Sequence, residues 1–211
     1  TGTLAFGTQN ISLAGTATIF TGATTCTVTG TPVINCITSG SKTLAPTAVT
    51  EANAISFNIT TGSGTVTFSL GSYKNINFTG STANFSPASG INIYGNLTFS
   101  STGAVAAGNS VNFRATSGTQ VITSNGNAMP YAITINGVGG TVQLADDFTV
   151  GASGSAYSFT LTNGTFDANN KNVTLGTFSS SNSNTRTLTM GSGTWTLSGT
   201  GTVWTLSLIH I

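Results

Sequence analysis

Four acidic residues are the main candidates for acid–base chemistry in this chain: Glu51, Asp146, Asp147 and Asp167. Glycoside hydrolysis uses two carboxylates that flank the scissile bond at about 5–9.5 Å from each other. Asp146 and Asp147 are adjacent, so in a strand they would point to opposite faces. The alternative is that they form a turn or a solvated edge before Phe148, with Asp167 as another turn residue. We favour the turn interpretation and assign no catalytic residue.

Two cysteines, Cys26 and Cys36, could form a disulfide. A hairpin near Gly30 and Pro32 would bring them together, and a bridge is plausible in an exported protein. Two buried thiols are the alternative, and the sequence leaves both open. A metal site is not expected from two Cys, because the sole His, His210, lies in an atypical C-terminal stretch. We therefore predict no metal and no cofactor.

Six aromatic residues could form platforms on which sugar rings stack if they were exposed. In a thin core such residues more often pack inward, and we favour packing. The six are Tyr73, Tyr94, Tyr131, Tyr157, Trp195 and Trp204.

The low charge of the chain narrows the classes of partner. Only five basic and four acidic residues occur, and the net charge is +1. Binding to phosphate backbones needs clustered Lys and Arg, whereas the basic residues here stand singly, so we predict no nucleic-acid partner. No apolar run approaches the roughly 18 residues of a membrane helix, and we predict no membrane partner. A polar, uncharged surface fits an extracellular protein or the surface of a virion or bacterial cell.

The elements that must position these residues are strands. Thr, Ser, Gly and Asn make up more than half of the chain, and small polar residues alternate with Val, Ile, Leu and Phe in segments such as 65–70, 75–78 and 194–198. Alternation with a period of two places one set of residues on each face of a sheet. Gly interrupts almost every window that could form a helix. The sequence therefore predicts an all-β protein.

Turn signals such as Asn125-Gly126 and Asn163-Gly164 separate the strands at irregular intervals. Irregular spacing favours a parallel β-solenoid of short coils, because loops can bulge outward without disturbing the stack. Coils of about 20 residues would give about ten coils and, at ~4.8 Å each, a rod of ~50 Å. The alternative is a tandem pair of antiparallel β-sandwiches. Antiparallel pairing is most expected in residues 1–50.

The alternation also predicts which side chains form the core of the solenoid. Those expected to point inward are Val66, Phe68, Ile76, Phe78, Ile93, Phe113, Ile135, Phe159, Leu161, Val173, Leu188 and Leu197.

We expect one β-strand-repeat domain over residues 1–205. Residues 206–211 break the alternation and are similar to one reading frame of a sequencing-library adapter, which predicts a non-native tail on a translated fragment, most simply of environmental DNA. An ordinary apolar final strand is the alternative for this segment.

Segments 131–137, 140–150, 159–166 and 185–195 resemble β-strand-repeat proteins of phage and bacterial surfaces, including tail-fibre-like and adhesin-like polypeptides. The resemblance covers residues 110–204 well and the earlier part only in style. It implies a role in a virion or on a cell surface, and it carries no catalytic residues to this chain.

These observations predict a non-catalytic structural or adhesive segment of a phage fibre or bacterial surface protein. Its partners would be a host surface glycan or other virion or surface proteins, and a homo-oligomer is compatible with this role. The alternatives are a carbohydrate-active solenoid depolymerase, which would need converging carboxylates, and a passive spacer within a longer fibre.

Overall fold

Short β-strands make up most of the chain, of which the computed structural model describes residues 2–21, 26–46, 50–60, 62–151 and 157–207. Helix within these ranges is confined to one 3₁₀ turn, Glu51–Asn53. The strands, in chain order, are β1 (Gly2–Gly7), β2 (Ile11–Leu13), β3 (Ala17–Thr21), β4 (Cys26–Gly30), β5 (Val33–Cys36), β6 (Lys42–Ala45), β7 (Ile55–Ile59), β8 (Thr65–Phe68), β9 (Gly71–Asn77), β10 (Asn84–Pro87), β11 (Ile91–Ile93), β12 (Leu97–Thr98), β13 (Val111–Phe113), β14 (Thr119–Thr123), β15 (Ala128–Met129), β16 (Ile133–Leu144), β17 (Phe148–Val150), β18 (Ser158–Asp167), β19 (Val173–Leu175), β20 (Thr177–Ser180), β21 (Arg186–Thr189), β22 (Trp195–Leu197) and β23 (Trp204–Leu206).

These strands stack into a parallel β-solenoid, which confirms the predicted fold class and excludes the antiparallel sandwiches. One sheet, which we call the long sheet, runs through the stack in the order β2-β5-β7-β9-β11-β13-β16-β18-β20-β23. Successive partners such as Ile91, Val111 and Ile133 are about 20 residues apart in sequence. The ten strands of this path are separated by nine intervals of about 4.8 Å, which gives a stack of ~43 Å, close to the predicted length.

The N-terminal part corrects one expectation. Residues 1–50 were the part in which antiparallel pairing was most expected, but β1 pairs with β4, β2 with β5 and β3 with β6, all in parallel. Each strand bonds to a strand of the next coil because this arrangement stacks like residues, such as Ile11 on Ile34, into one core. The Gly30–Pro32 segment turns a corner between β4 and β5 and does not close a hairpin.

Three long strands, β9, β16 and β18, carry the chain around a corner of their coils. The first part of β9 pairs with β11 and its last part with β12, and β16 and β18 extend in the same way to β14 and β21. Three shorter sheets complete the coils: β1-β4 near the N-terminus, β3-β6-β8-β10 in the first half of the stack and β15-β17-β19-β22 in the second half. Each coil therefore contributes two or three short strands to a shared interior.

The interior is filled by the alternating apolar residues, as the sequence predicts. Ten of the twelve residues expected to point inward are buried, with relative exposure of 1% or less. Leu188 and Leu197 are only partly buried and pack against the edge of the core. Both belong to the last coil, where β21 and β22 each have a partner on one side only within the described residues.

Aromatic rings form much of this core. Phe68 contacts Tyr73 and Phe85 with ring centroids 5.3 and 5.0 Å apart, and Phe85 continues to Phe99 at 5.2 Å. A second series nearer the C-terminal end runs from Phe159 to Phe178 and then to Trp204. Such T-shaped, tilted and stacked pairs add to the stabilisation from buried area.

Glycine permits close backbone contact where coils turn. Gly164 has φ +77, and a Cβ at this position would lie 2.2 Å from the carbonyl oxygen of Gly137 on the preceding coil. Gly118 has a similar φ of +70 but open space around it. The first glycine is therefore required by both backbone conformation and packing, the second by conformation alone.

The predicted non-native tail is described only in part. Leu206 ends β23, where it pairs with Ser180, and its side chain is exposed. The Ser207 N–H donates to the carbonyl oxygen of Ser180 at 3.2 Å. Residues 208–211, with His210, lie outside the described residues, so the origin of the tail stays a prediction.

Candidate functional site

The adjacent carboxylates Asp146 and Asp147 lie in the bend before β17, as the turn interpretation predicts. Asp146 accepts hydrogen bonds from the backbone N–H groups of Ser124 and Asn125 on the preceding coil. Asp147 accepts from the backbone N–H of Asn172 at 2.9 Å and from its side-chain amide at 3.0 Å, on the following coil. The two carboxylates therefore tie one corner to the coils on either side of it.

The pKa of Asp147 is lowered from its ordinary value of 3.8. The main cause is the hydrogen bond from the Asn172 backbone N–H, followed by the bond from the Asn172 side chain, with a smaller contribution from Lys171. A carboxylate held in this way stays ionised and acts as a hydrogen-bond acceptor. It is poorly suited to serve as a general acid near neutral pH.

The other two acidic residues also make structural contacts. Asp167, at the end of β18, accepts from the side-chain amide of Gln143 and from the backbone N–H of Asn169, both at 2.8 Å. The second contact is the local bond of an Asx turn, so the predicted turn role is confirmed. Glu51 accepts from the Thr116 backbone N–H at 3.0 Å and from its hydroxyl at 2.6 Å. This last contact joins residues 65 positions apart, and no local sequence signal indicates it.

The cysteines occupy different sheets. Cys36 ends β5 in the long sheet, and its buried thiol forms no disulfide with another described residue. Burial raises its pKa to about 11, against a smaller opposing effect of the Lys42 charge. Cys26 begins β4, where its backbone pairs with that of Gly2 in β1. The side chain of Cys26 lies outside the described residues. The disulfide between them stays a prediction.

Lys42 is a buried cation that sequence reasoning did not single out. Its side chain is 2% exposed, and Nζ donates to the carbonyl oxygens of Thr38 at 2.6 Å and Gly40 at 2.7 Å. Burial lowers its pKa. The ammonium group thereby satisfies the backbone of the turn between β5 and β6, which is a structural role.

Side-chain amides form ladders along the outer face of the long sheet. Asn58 donates to Asn35 at 3.2 Å and accepts from Asn77 at 2.9 Å. A second ladder lies beside the Asn35–Asn58–Asn77 ladder. In it, the Asn75 side chain donates to the Ser56 hydroxyl and accepts from the backbone N–H of Asn96. These ladders line a groove of about 340 Å³, and their amides are largely bonded to one another.

The aromatic candidates mostly pack inward, as predicted. Tyr73 and Tyr131 are fully buried, whereas Trp195 and Trp204 are half-buried and contact the Phe178 ring. The Tyr73 hydroxyl lies 2.9 Å from the Leu44 carbonyl oxygen and 2.8 Å from that of Ser69. The buried Tyr131 hydroxyl has no hydrogen-bond partner among the described residues.

Within the described ranges, the acidic, cysteine and histidine side chains form no cluster of three or more that could hold a metal ion. In the same ranges no helix has the length and apolar character needed to cross a membrane. Comparison of the chain with protein-family models, with curated proteins and with solved structures found no significant similarity.

Proposed function

We propose that this chain is a non-catalytic structural and adhesive segment of a phage virion fibre or a bacterial surface protein, working outside the cell. The observation that supports this most directly is that the carboxylates are engaged in structural hydrogen bonds. All four acidic side chains accept hydrogen bonds that tie corners or turns together, and three of them bond to the backbone of another coil. Acid–base work on a sugar needs a pair of carboxylates held in different environments around one bond.

The outer surface supports the adhesive part of the proposal. Outward positions form rows of small polar residues across successive coils, such as Thr149, Thr174 and Thr196 on one sheet. A neutral surface of repeated hydroxyls and amides suits many weak contacts, which give strong attachment when a fibre presents them together. The partners are a host surface glycan or neighbouring virion or surface proteins, and neither nucleic acid nor membrane is needed.

The test is to incubate the purified chain with a panel of bacterial surface polysaccharides and to measure both retention of the protein and release of reducing ends. We expect retention on at least one polysaccharide without release. Release that disappears in Asp146→Ala or Asp147→Ala would establish the depolymerase instead. Absence of retention on every surface would favour the passive spacer.

A further inference from the structure

A second groove crosses the stack where a short segment of β18 lies between two longer neighbours. In the preceding coil, residues 137–140 stand opposite the single residue Gly164, because Asn136 pairs with Asn163 and Thr141 with Thr165. In the following coil, the six residues 180–185 lie between the positions that pair with Thr160 and Gly164, where β18 itself has only the three residues 161–163. Both neighbours protrude beyond the short segment, and a groove of about 560 Å³ remains between them. We call this the β18 groove.

Arg186 holds one wall of the β18 groove. Its guanidinium donates to the carbonyl oxygens of Ser180, Asn182 and Asn184, and to the hydroxyls of Ser180 and Ser207. All these acceptors are neutral, and no described residue forms an ion pair with Arg186. These neutral acceptors engage all five N–H groups of Arg186, and no described carboxylate pairs with it, so the group can attract an anion in the groove by its charge rather than by a direct hydrogen bond.

Apart from Asn163, whose amide donates to Asn136 at 2.6 Å, the polar side chains that line the β18 groove differ from the amide ladders. Thr165, Ser183, Asn184, Thr185 and Thr187 line it, and none of their side-chain polar groups bonds to another described residue. On the opposite wall Val138 is 67% exposed. Unpaired hydroxyl and amide groups beside one small apolar surface match the hydroxyls and the C–H face of a sugar ring.

We propose that the β18 groove binds an acidic saccharide, with the sugar carboxylate toward Arg186, the hydroxyls on Asn184 and Thr187, and a ring face against Val138. The volume lies within the range of small-ligand sites, about 300–1,000 Å³. The uncompensated positive charge favours an acidic sugar over a neutral one, and the attraction weakens as salt rises. This inference rests on the proposed adhesive function and names the site and ligand class for it.

The experiment measures binding to the full chain by calorimetry, with three probes: short oligogalacturonates, short oligomannuronates and sialyllactose. Methyl-esterified oligogalacturonates of the same length serve as the uncharged control. We expect at least one acidic probe to bind, to bind more weakly as salt rises, and to lose most of its affinity on esterification. Equal binding of the acid and ester forms, or no binding of any acidic probe, overturns the inference.

Matched variants locate the site. Asn184→Ala and Thr187→Val each remove one unpaired polar group and should weaken binding about fivefold or more, the effect of one lost hydrogen bond. Asn10→Ala and Thr8→Val change exposed residues of the same types at the other end of the stack and should leave affinity within about twofold. Equal effects of groove and control variants overturn the inference.

The two proposals fail in different ways. If the groove variants still adhere to surface polysaccharides like the unchanged chain, the groove assignment is wrong and the adhesive function stands. If the unchanged chain adheres to none, the adhesive function itself is wrong.

Discussion

The last coil of the stack and the coil before it carry the same alternating pattern but reach different degrees of burial. Leu175 in β19 is fully buried, whereas Leu197, its register partner in β22, is only partly buried. The two leucines occupy the same column one coil apart. The difference shows that burial in a solenoid depends on having a coil on both sides, so an inward-pointing residue is a core residue only when it is covered.

The largest expected effect on stability comes from truncating the two leucines. Leu175→Ala should lower the free energy of unfolding by about 2–5 kcal/mol, because it leaves a cavity in a closed core. Leu197→Ala should cost about half as much or less, since part of that side chain is already in contact with solvent. Urea unfolding followed by circular dichroism measures both. Equal losses would mean that the last coil is as well covered as the coil before it.

A second test separates contact between coils from local conformation. Gly164→Ala combines a positive φ with a clash against the Gly137 carbonyl, and should destabilise by about 2–4 kcal/mol. Gly118→Ala retains only the conformational penalty and should cost about 1 kcal/mol. Thermal and urea unfolding of the two variants measure the difference. Equal costs would show that the coils can move apart at Gly164.

A third test uses the two buried tyrosines, which should respond with opposite signs. Tyr73→Phe removes a hydroxyl that lies close to two carbonyl oxygens, and should lower stability by about 1 kcal/mol. Tyr131→Phe removes a buried hydroxyl without a described partner and should raise stability by about 1 kcal/mol. Melting temperatures of both variants at neutral pH provide the measurement. Loss of stability in Tyr131→Phe would reveal a partner for that hydroxyl.

The smallest expected effect is the pH dependence contributed by Asp147. Because its folded-state pKa is lowered from 3.8, it stabilises the fold above that ordinary value and loses the contribution as the pH falls through the lower folded-state pKa. The melting-temperature difference between the unchanged chain and Asp147→Asn should be constant from pH 8 to 6 and shrink in acid. A difference that grows in acid would contradict the assigned direction.

The sequence predicted the type of fold because alternation and turn residues are local signals. Positions such as Phe68 and Phe159 were placed inward from the period of two alone. The pairing direction in residues 1–50 was predicted wrongly, since a strand has the same alternation in parallel and antiparallel sheets. Leu188 and Leu197 were predicted to point into the core, but the sequence does not indicate how many coils cover them.

The candidate site was less accessible to sequence reasoning. The turn roles of Asp146 and Asp167 followed from local context, but the contact of Glu51 with Thr116 joins residues far apart in the chain. The β18 groove depends on small differences in coil length between neighbours. Register of this kind is set by three-dimensional stacking, so a sequence without known strand partners does not reveal it.

The parallel ladders have a mechanical consequence. Backbone hydrogen bonds between coils run along the axis of the stack, so a pull on the two ends loads the contacts between coils in series. The chain should then lengthen in steps, one coil at a time. A released coil of about 20 residues adds roughly 65–70 Å of contour length. Such a segment would dissipate sudden tension, because coils at one end unfold under load while the rest of the rod stays folded.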